Sequence, residues 1–175
     1  MPYYKNFTHG SLVVTDGTGT PLSHTVDVDD GTIQISDMVP GLRESSDYER
    51  KGVWVSSAFT TRKFPTLQLS CNFTKFRDTS SGTLLDMLFG TTGTPFAASV
   101  STIAPSGATA DKVPVAVTLA LTIEGTNFGD SEDPTVTFAK ARIESVSFSE
   151  GDPNKVTFAF KVLGAISGHL PTTEW

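Results

Sequence analysis

The chain has 175 residues, of which 13 are Lys or Arg and 19 are Asp or Glu, so its formal net charge is −6. This length falls within the ~100–200 residues of a typical domain, and we expect a single domain over residues 1–175. The net negative charge argues against a surface that binds nucleic acid or an anionic membrane. No apolar run reaches the ~18 residues needed to cross a bilayer, so we expect no membrane partner.

Cysteine and histidine usage argues against metal and disulfide chemistry. Cys71 is the sole cysteine, which excludes an internal disulfide and favours folding in a reducing cytosol. It alternates with Leu67, Leu69 and Phe73, a spacing that indicates a core residue rather than a nucleophile. The three histidines share no ligand spacing with one another or with Cys71. We therefore expect no metal and no cofactor.

Enzyme motifs are also missing from the sequence. It contains no nucleophile elbow and no glycine-rich phosphate loop. The acidic stretch around Asp29 and Asp30 departs from a calcium loop, because Met38 stands where the bidentate Glu would be. The neighbouring acids Glu132 and Asp133 fit a solvated loop better than a general acid and base. We predict that the protein is not an enzyme; a catalytic site assembled in space from distant residues is the remaining alternative.

Period-two hydrophobicity predicts strands at both ends of the chain. Residues 1–10 have no periodicity and are predicted to be an N-terminal arm, followed by three short strands at 11–15, 25–28 and 32–36 that form a meander. Near the other end, the alternating runs 146–148 and 156–162 flank the turn-forming residues 150–154 and predict an antiparallel hairpin. Residues 164–175 are predicted to be a C-terminal arm, and the terminal Trp175 is either docked on another subunit or disordered.

The middle of the chain adds strands and one helix. Alternation predicts strands at 67–73, 115–123 and 135–144, and the last of these changes parity after Phe138, which predicts a bulge or a bend between sheets. A helix is predicted over 83–89, with Gly90 ending it. Residues 91–114 form a second long connection. The predicted fold is mainly β: an antiparallel β-sandwich or barrel with one short flanking α-helix and two long loops.

The first of these loops, residues 37–65, is the main candidate for contact with a partner. It holds neither helical nor strand periodicity and mixes charged and aromatic residues. Loops longer than ~12–15 residues are usually functional or mobile. The alternative is a protruding hairpin with short strands of its own, solvated on both faces. The candidate inter-subunit contacts are Arg43, Glu44, Asp47, Tyr48, Arg50, Lys51 and Trp54.

The order of these elements resembles the tail tube (major tail) proteins of long-tailed, non-contractile bacteriophages. Three stretches carry the resemblance over almost the whole chain: Asp30-Gly31-Thr32-Ile33-Gln34-Ile35 entering the long loop, the helix at 81–89, and 141–148 running into 156–160. The resemblance implies a virion tail component, assembled in the host cytoplasm, that forms hexameric rings stacked into a hollow tube. It also implies a tape-measure protein, a tail terminator and distal tail proteins as partners, and DNA that passes through without specific binding.

Within this resemblance, an acidic lumen would let DNA slide, and Asp130, Glu132 and Asp133 are the candidate lumen-facing acids. A monomeric β-sandwich module that binds carbohydrate or another ligand is the competing hypothesis. It explains the strands equally well and predicts an exposed aromatic platform, which Trp54 and Tyr48 would supply.

Overall fold

The computed structural model describes residues 11–27, 32–38, 42–72, 75–104, 115–122, 135–151 and 153–168. These residues form ten strands and one helix. The elements are β1 (Ser11–Thr15), β2 (Ser23–Asp27), β3 (Thr32–Ser36), β4 (Arg43–Arg50), β5 (Val53–Arg62), β6 (Thr66–Asn72), α1 (Leu84–Phe89), β7 (Ala116–Thr122), β8 (Thr135–Ser149), β9 (Lys155–Val162) and β10 (Ile166–Gly168).

Most strands belong to one antiparallel sheet in the order β2-β1-β7-β8-β9-β6-β3, and β10 pairs with the start of β8. The 15-residue β8 divides this sheet. Its first part, up to Arg142, pairs with β7, whereas its part from Ala141 onward pairs with β9. The inner faces of the two halves share one hydrophobic cluster, which includes Leu12 and Leu119 from one half and Phe158 and Leu69 from the other. The fold is therefore a mainly β, antiparallel sandwich, and the described strands form no closed barrel.

The predicted change of parity in β8 is confirmed. Phe138 and Ala141 are both fully buried, although they lie three positions apart in a strand. Lys140 between them has a φ of 52°, which breaks the regular alternation. The bend lets one strand serve both halves of the sandwich.

The helix also agrees with its prediction to within a residue. Thr83 is the N-cap, its side chain accepts a hydrogen bond from the Asp86 N–H, and Gly90 ends the helix in the left-handed conformation. Leu84, Met87 and Leu88 are buried against the sheets. With only six residues the helix depends on this packing for its stability.

Three predictions of local structure are wrong. The first three strands are not a meander, because β3 pairs with β6 rather than with β2. The region 37–65 contains a two-stranded hairpin, β4 and β5, with two shifts of register, and this is the alternative stated in the sequence analysis. The predicted C-terminal arm, residues 164–175, includes a short strand, because residues 166–168 pair with β8. Long-range pairing of this kind is not visible in local periodicity. The predicted arm at 1–10 and residues 169–175 lie outside the described residues.

Candidate assembly surfaces

The hairpin of β4 and β5 projects from the sandwich. Lys51 and Gly52 join the two strands with φ values of 54° and 74°, and two positive values in a two-residue loop define a type I′ turn. Every residue of β4 is exposed, and all of β5 is exposed apart from the half-buried Ser57 and Ala58. Among the described strands these two pair only with each other. The hairpin is therefore a ribbon with solvent on both faces.

The two faces of this ribbon carry different side chains. On one face the indole N–H of Trp54 donates to Ser57 Oγ at 3.1 Å, and Ser57 Oγ donates to Asp47 Oδ1. Glu49 opposes Trp54 and shares that face. Tyr48 precedes Glu49 along β4 and therefore lies on the opposite face. We call these the Trp54 face and the Tyr48 face.

All seven predicted contact residues lie in this hairpin, but they do not form one cluster. Arg43 and Glu44 are at its base, Lys51 is in its turn, Asp47 and Trp54 are on the Trp54 face, and Tyr48 and Arg50 are on the Tyr48 face. The structure thus groups the predicted residues on one element and divides them between its two sides.

The hairpin exposes apolar residues in addition to the seven predicted contact residues. Val53, Val55 and Phe59 are exposed by 65%, 57% and 68%. Together with Trp54 and Tyr48 they leave an unusual amount of apolar surface on one projecting element, and such patches mark interaction sites. The alternation of Val53 and Val55 was the available signal, but it extends over too few residues to indicate a strand.

The second candidate surface consists of the two outer strands of one part of the sheet. The part of β8 from Glu144 to Ser149, with β9, β6 and β3, forms what we call the four-stranded sheet. No other strand among the described residues pairs with the outer edge of 144–149 or with the outer edge of β3. The outer strand of a sheet is the place where a further strand can be added by backbone hydrogen bonds.

Apolar side chains next to the β8 edge are partly exposed. Val146 and Phe148 oppose the buried Phe158 and Val156 across the β8–β9 pair, so they lie on the core face of the sheet. They are nevertheless 37% and 47% exposed. The reason is that β7 pairs with β8 only as far as Arg142, so the other half of the sandwich stops short of them. The Phe76 ring, 5.5 Å from that of Phe148, extends this apolar surface.

A cavity of about 410 Å³ opens between β2, the start of α1 and the core face of β6 and β9. Its lining includes His24, Cys71, Leu85 and Phe158. Burial lowers the pKa of His24 more than the nearby Asp86 carboxylate raises it, and burial raises the pKa of the Cys71 thiol. At neutral pH the imidazole is therefore uncharged and the thiol stays protonated. A protonated thiol is a poor nucleophile.

Other features of the described residues bear on function. They include no group of three His, Cys, Asp or Glu side chains placed to hold a metal ion. None of their helices has the length and apolar character that a membrane crossing requires. Tyr48 and Trp54 lie on opposite faces of the hairpin and so do not form the joint aromatic platform that a binding module would use. The candidate lumen acids Asp130, Glu132 and Asp133 lie outside the described residues.

Comparison with known proteins shows similarity of fold but not of sequence. No protein-family model matches the chain, and no curated protein matches it. Among solved structures it is similar to a chain of the anti-feeding prophage baseplate, determined by cryo-electron microscopy with 6-fold symmetry. The TM-score is 0.50 at 9% sequence identity, and the match covers 96% of this chain and 95% of the other. At this identity the similarity is one of fold.

Proposed function

We propose that this protein is a structural component of a phage tail or phage-tail-like particle, and that its copies join into hexameric rings that stack into a hollow tube through which DNA passes. The observation that carries the proposal is the four-stranded antiparallel sheet, whose two outer strands pair with no further strand among the described residues. The shared fold with a chain from a tail-like baseplate supports it.

The directions of the strands allow these edges to join. Each of the pairs β3–β6, β6–β9 and β9–β8 is antiparallel, so β3 and β8 run in opposite directions. In a ring, rotation about the axis places β8 of one copy beside β3 of the next with their opposite directions preserved. The contact is then antiparallel, like every other pair in the sheet, and it can form backbone hydrogen bonds between the two strands.

The side chains at the two edges match as well. Ile33 and Ile35 of β3 pack against the core, and Val146 and Phe148 lie on the same face of the sheet at the other edge. Joining the edges places these two apolar pairs next to each other across the new contact. It covers side chains that the single chain leaves exposed, which supplies a hydrophobic gain in addition to backbone hydrogen bonds.

This contact joins two different surfaces of identical chains. Such head-to-tail interfaces produce closed rings when the rotation closes and helical filaments when it does not. Six copies per ring is what the resemblance to tail tube proteins implies, and the similar chain comes from a particle with 6-fold symmetry.

The hairpin is suited to contact between rings. It connects β3 to β6, two strands of the four-stranded sheet, and extends beyond the end of that sheet. Strands that run along the ring axis would direct the hairpin toward the next ring. Its exposed apolar and charged side chains, Trp54 and Tyr48 above all, would then be the anchors.

The rest of the proposal follows the same resemblance. The protein has a structural rather than an enzymatic role, binds no cofactor, and resides in the virion tail after assembly in the host cytoplasm. Its partners are its own copies, a tape-measure protein, and the tail terminator and distal tail proteins.

Electron microscopy of the purified protein tests the proposal. We expect negative-stain images to show rings or hollow tubes, and light scattering to give a mass well above 18.7 kDa. Val146→Asp places a charge at the joining edge and is expected to leave a folded monomer. The comparison variant is Phe158→Asp, at the residue that opposes Val146 and is 1% exposed. We expect this variant not to fold, because a buried unpaired carboxylate costs several kcal/mol.

Two results would contradict the proposal. A wild-type protein that stays monomeric at high concentration and after seeding does not form tubes, and its cavity of about 410 Å³ would then be screened for small ligands and glycans. Normal rings from Val146→Asp would show that this edge is not the contact.

A further inference from the structure

We propose that the cavity between β2, α1 and the core face of β6 and β9 is a binding site for a small uncharged aromatic molecule that carries a hydroxyl group. This inference goes beyond the proposed function and does not depend on the formation of rings. It rests on the size of the cavity, its apolar walls and two polar groups in its lining that lack hydrogen-bond partners.

The size of the cavity suits a small molecule. The six residues of α1 form a helix about 9 Å long, roughly the width of two strands, so α1 covers only part of the core face of the sheet. The space beside it is about 410 Å³. Small-molecule sites have volumes of ~300–1,000 Å³, whereas most voids in a packed interior are no larger than a water molecule.

One part of the wall is apolar and well packed. Val26, Leu84, Val156 and Phe158 line the cavity, and all four are buried. The ring of His24 also lines it and meets the Phe96 ring edge-on, with 5.8 Å between the ring centroids. An aromatic molecule would contact both aliphatic side chains and ring surfaces here, and removing its apolar surface from water would favour binding.

Most polar side chains of the lining already have partners. The Thr83 hydroxyl donates to Asp86 Oδ2 at 3.0 Å, and Asp78 accepts from the Ser81 hydroxyl at 2.8 Å. Lys75 and Asp78 form an ion pair at 2.6 Å, and they are the charged side chains among the described residues of the lining. A charged ligand would lose its hydration without meeting an unpaired opposite charge. The site therefore favours an uncharged molecule.

Two polar groups of the lining lack such partners. No hydrogen bond joins the ring nitrogens of His24 to another described residue. Burial lowers the pKa of His24, so at neutral pH its ring has one donor and one acceptor nitrogen. The Oδ1 atom of Asn72 is buried and accepts no hydrogen bond from the described residues. Buried polar groups normally have partners, and a hydroxyl group can both donate and accept.

Titration with 2-naphthol tests the site. This probe has two fused rings and one hydroxyl group, and naphthalene is the matched probe without the hydroxyl. Ligand-observed NMR and equilibrium dialysis measure both probes on the purified wild-type protein, in single chains or in assemblies. We expect saturable binding of one 2-naphthol per chain and about tenfold weaker binding of naphthalene, because one hydrogen bond is lost.

Two substitutions locate the binding site. His24→Phe keeps an aromatic ring beside Phe96 but removes both nitrogens, and we expect it to abolish the preference for 2-naphthol over naphthalene. Leu85→Trp places a larger side chain in the cavity and is expected to abolish binding of both probes. Phe89→Trp, at the exposed end of α1, is the matched control and should bind as wild type does. Circular dichroism establishes that each variant is folded.

Three results would overturn the inference: no saturable binding by the wild-type protein, equal affinity for the two probes, or unchanged binding by Leu85→Trp. Val146→Asp, which is expected to remain a single chain, separates the inference from assembly. If this variant binds 2-naphthol and wild-type tubes do not, another copy covers the cavity in the tube, and the assembled protein has no such site. If no rings form, the proposed function fails, and the titration still decides this inference.

Discussion

The buried carboxylate of Asp86 shows how one residue joins the helix to the loop before it. Only 1% of this residue is exposed, and its Oδ2 accepts hydrogen bonds from the N–H groups of Asp78 and Thr83 at 3.0 and 2.9 Å. Burial raises the pKa of Asp86, but these hydrogen bonds together outweigh burial and hold the pKa below its usual value. The ionised form is therefore part of the folded structure.

Asp86→Asn should lower the free energy of unfolding by about 1–3 kcal/mol at neutral pH, because an amide replaces a charged acceptor of buried N–H groups. The wild-type contribution is complete above the unfolded pKa of about 3.9 and is lost as the pH falls through the lower folded value. We expect the stability difference between variant and wild type to shrink below about pH 4. Chemical denaturation across pH measures this. Glu150→Gln, which removes an exposed charge, is the control, and a pH-independent difference for Asp86→Asn would contradict the linkage.

The hairpin of β4 and β5 is the element that the sequence describes least well. A strand is recognisable by alternation only when one of its faces is buried, and here both faces meet solvent. Polar and apolar residues therefore follow no period over 37–65. The prediction of contact residues in this region rests on its mixture of charged and aromatic residues, which does not depend on secondary structure.

Replacing residues 44–61 with a short Gly-Ser linker should leave the sandwich intact. The Lys63 N–H donates to the Leu42 carbonyl oxygen at 2.8 Å just outside the replaced segment and closes the base of the hairpin. We expect a melting temperature close to that of wild type and rings that no longer stack. Circular dichroism and electron microscopy measure the two properties separately. Tubes of normal length from this variant would show that the hairpin is not the contact between rings.

At the scale of the whole molecule, the proposed assembly would bury a part of the core face that the single chain leaves exposed. Val146 and Phe148 extend that face beyond the reach of β7, so the single chain is folded but incompletely covered. A second copy joined at the β8 edge would bury Val146 and Phe148. A partner that binds only the folded state stabilises it by mass action.

The melting temperature of the wild-type protein should accordingly rise with protein concentration. Val146→Asp, which blocks the joining edge, should melt at the same temperature at every concentration. Differential scanning fluorimetry over a wide concentration range measures both. A concentration-independent wild type would mean that the exposed apolar residues do not contribute to association.

The sequence by itself determined the class of the fold and most of its strands. Leu67 and Leu69 in β6, and Phe158 and Phe160 in β9, stand at every second position because each strand buries one face. This period of two is visible in the sequence of a single strand, whichever strand it pairs with. The helix could also be predicted from the spacing of its leucines and from Gly90 at its end. The bend in β8 was visible as a change of parity.

Tertiary structure alone decided which strands pair, and with that the candidate surfaces. Nothing local to Thr32–Ser36 indicates that this strand pairs with β6 and becomes an edge. Nothing in the alternation of Val146 and Phe148 shows that the other half of the sandwich ends before it reaches them. Periodicity reports whether a strand has a buried face, whereas edges and exposed ends depend on contacts between residues far apart in the chain, and those contacts exist only once the chain has folded.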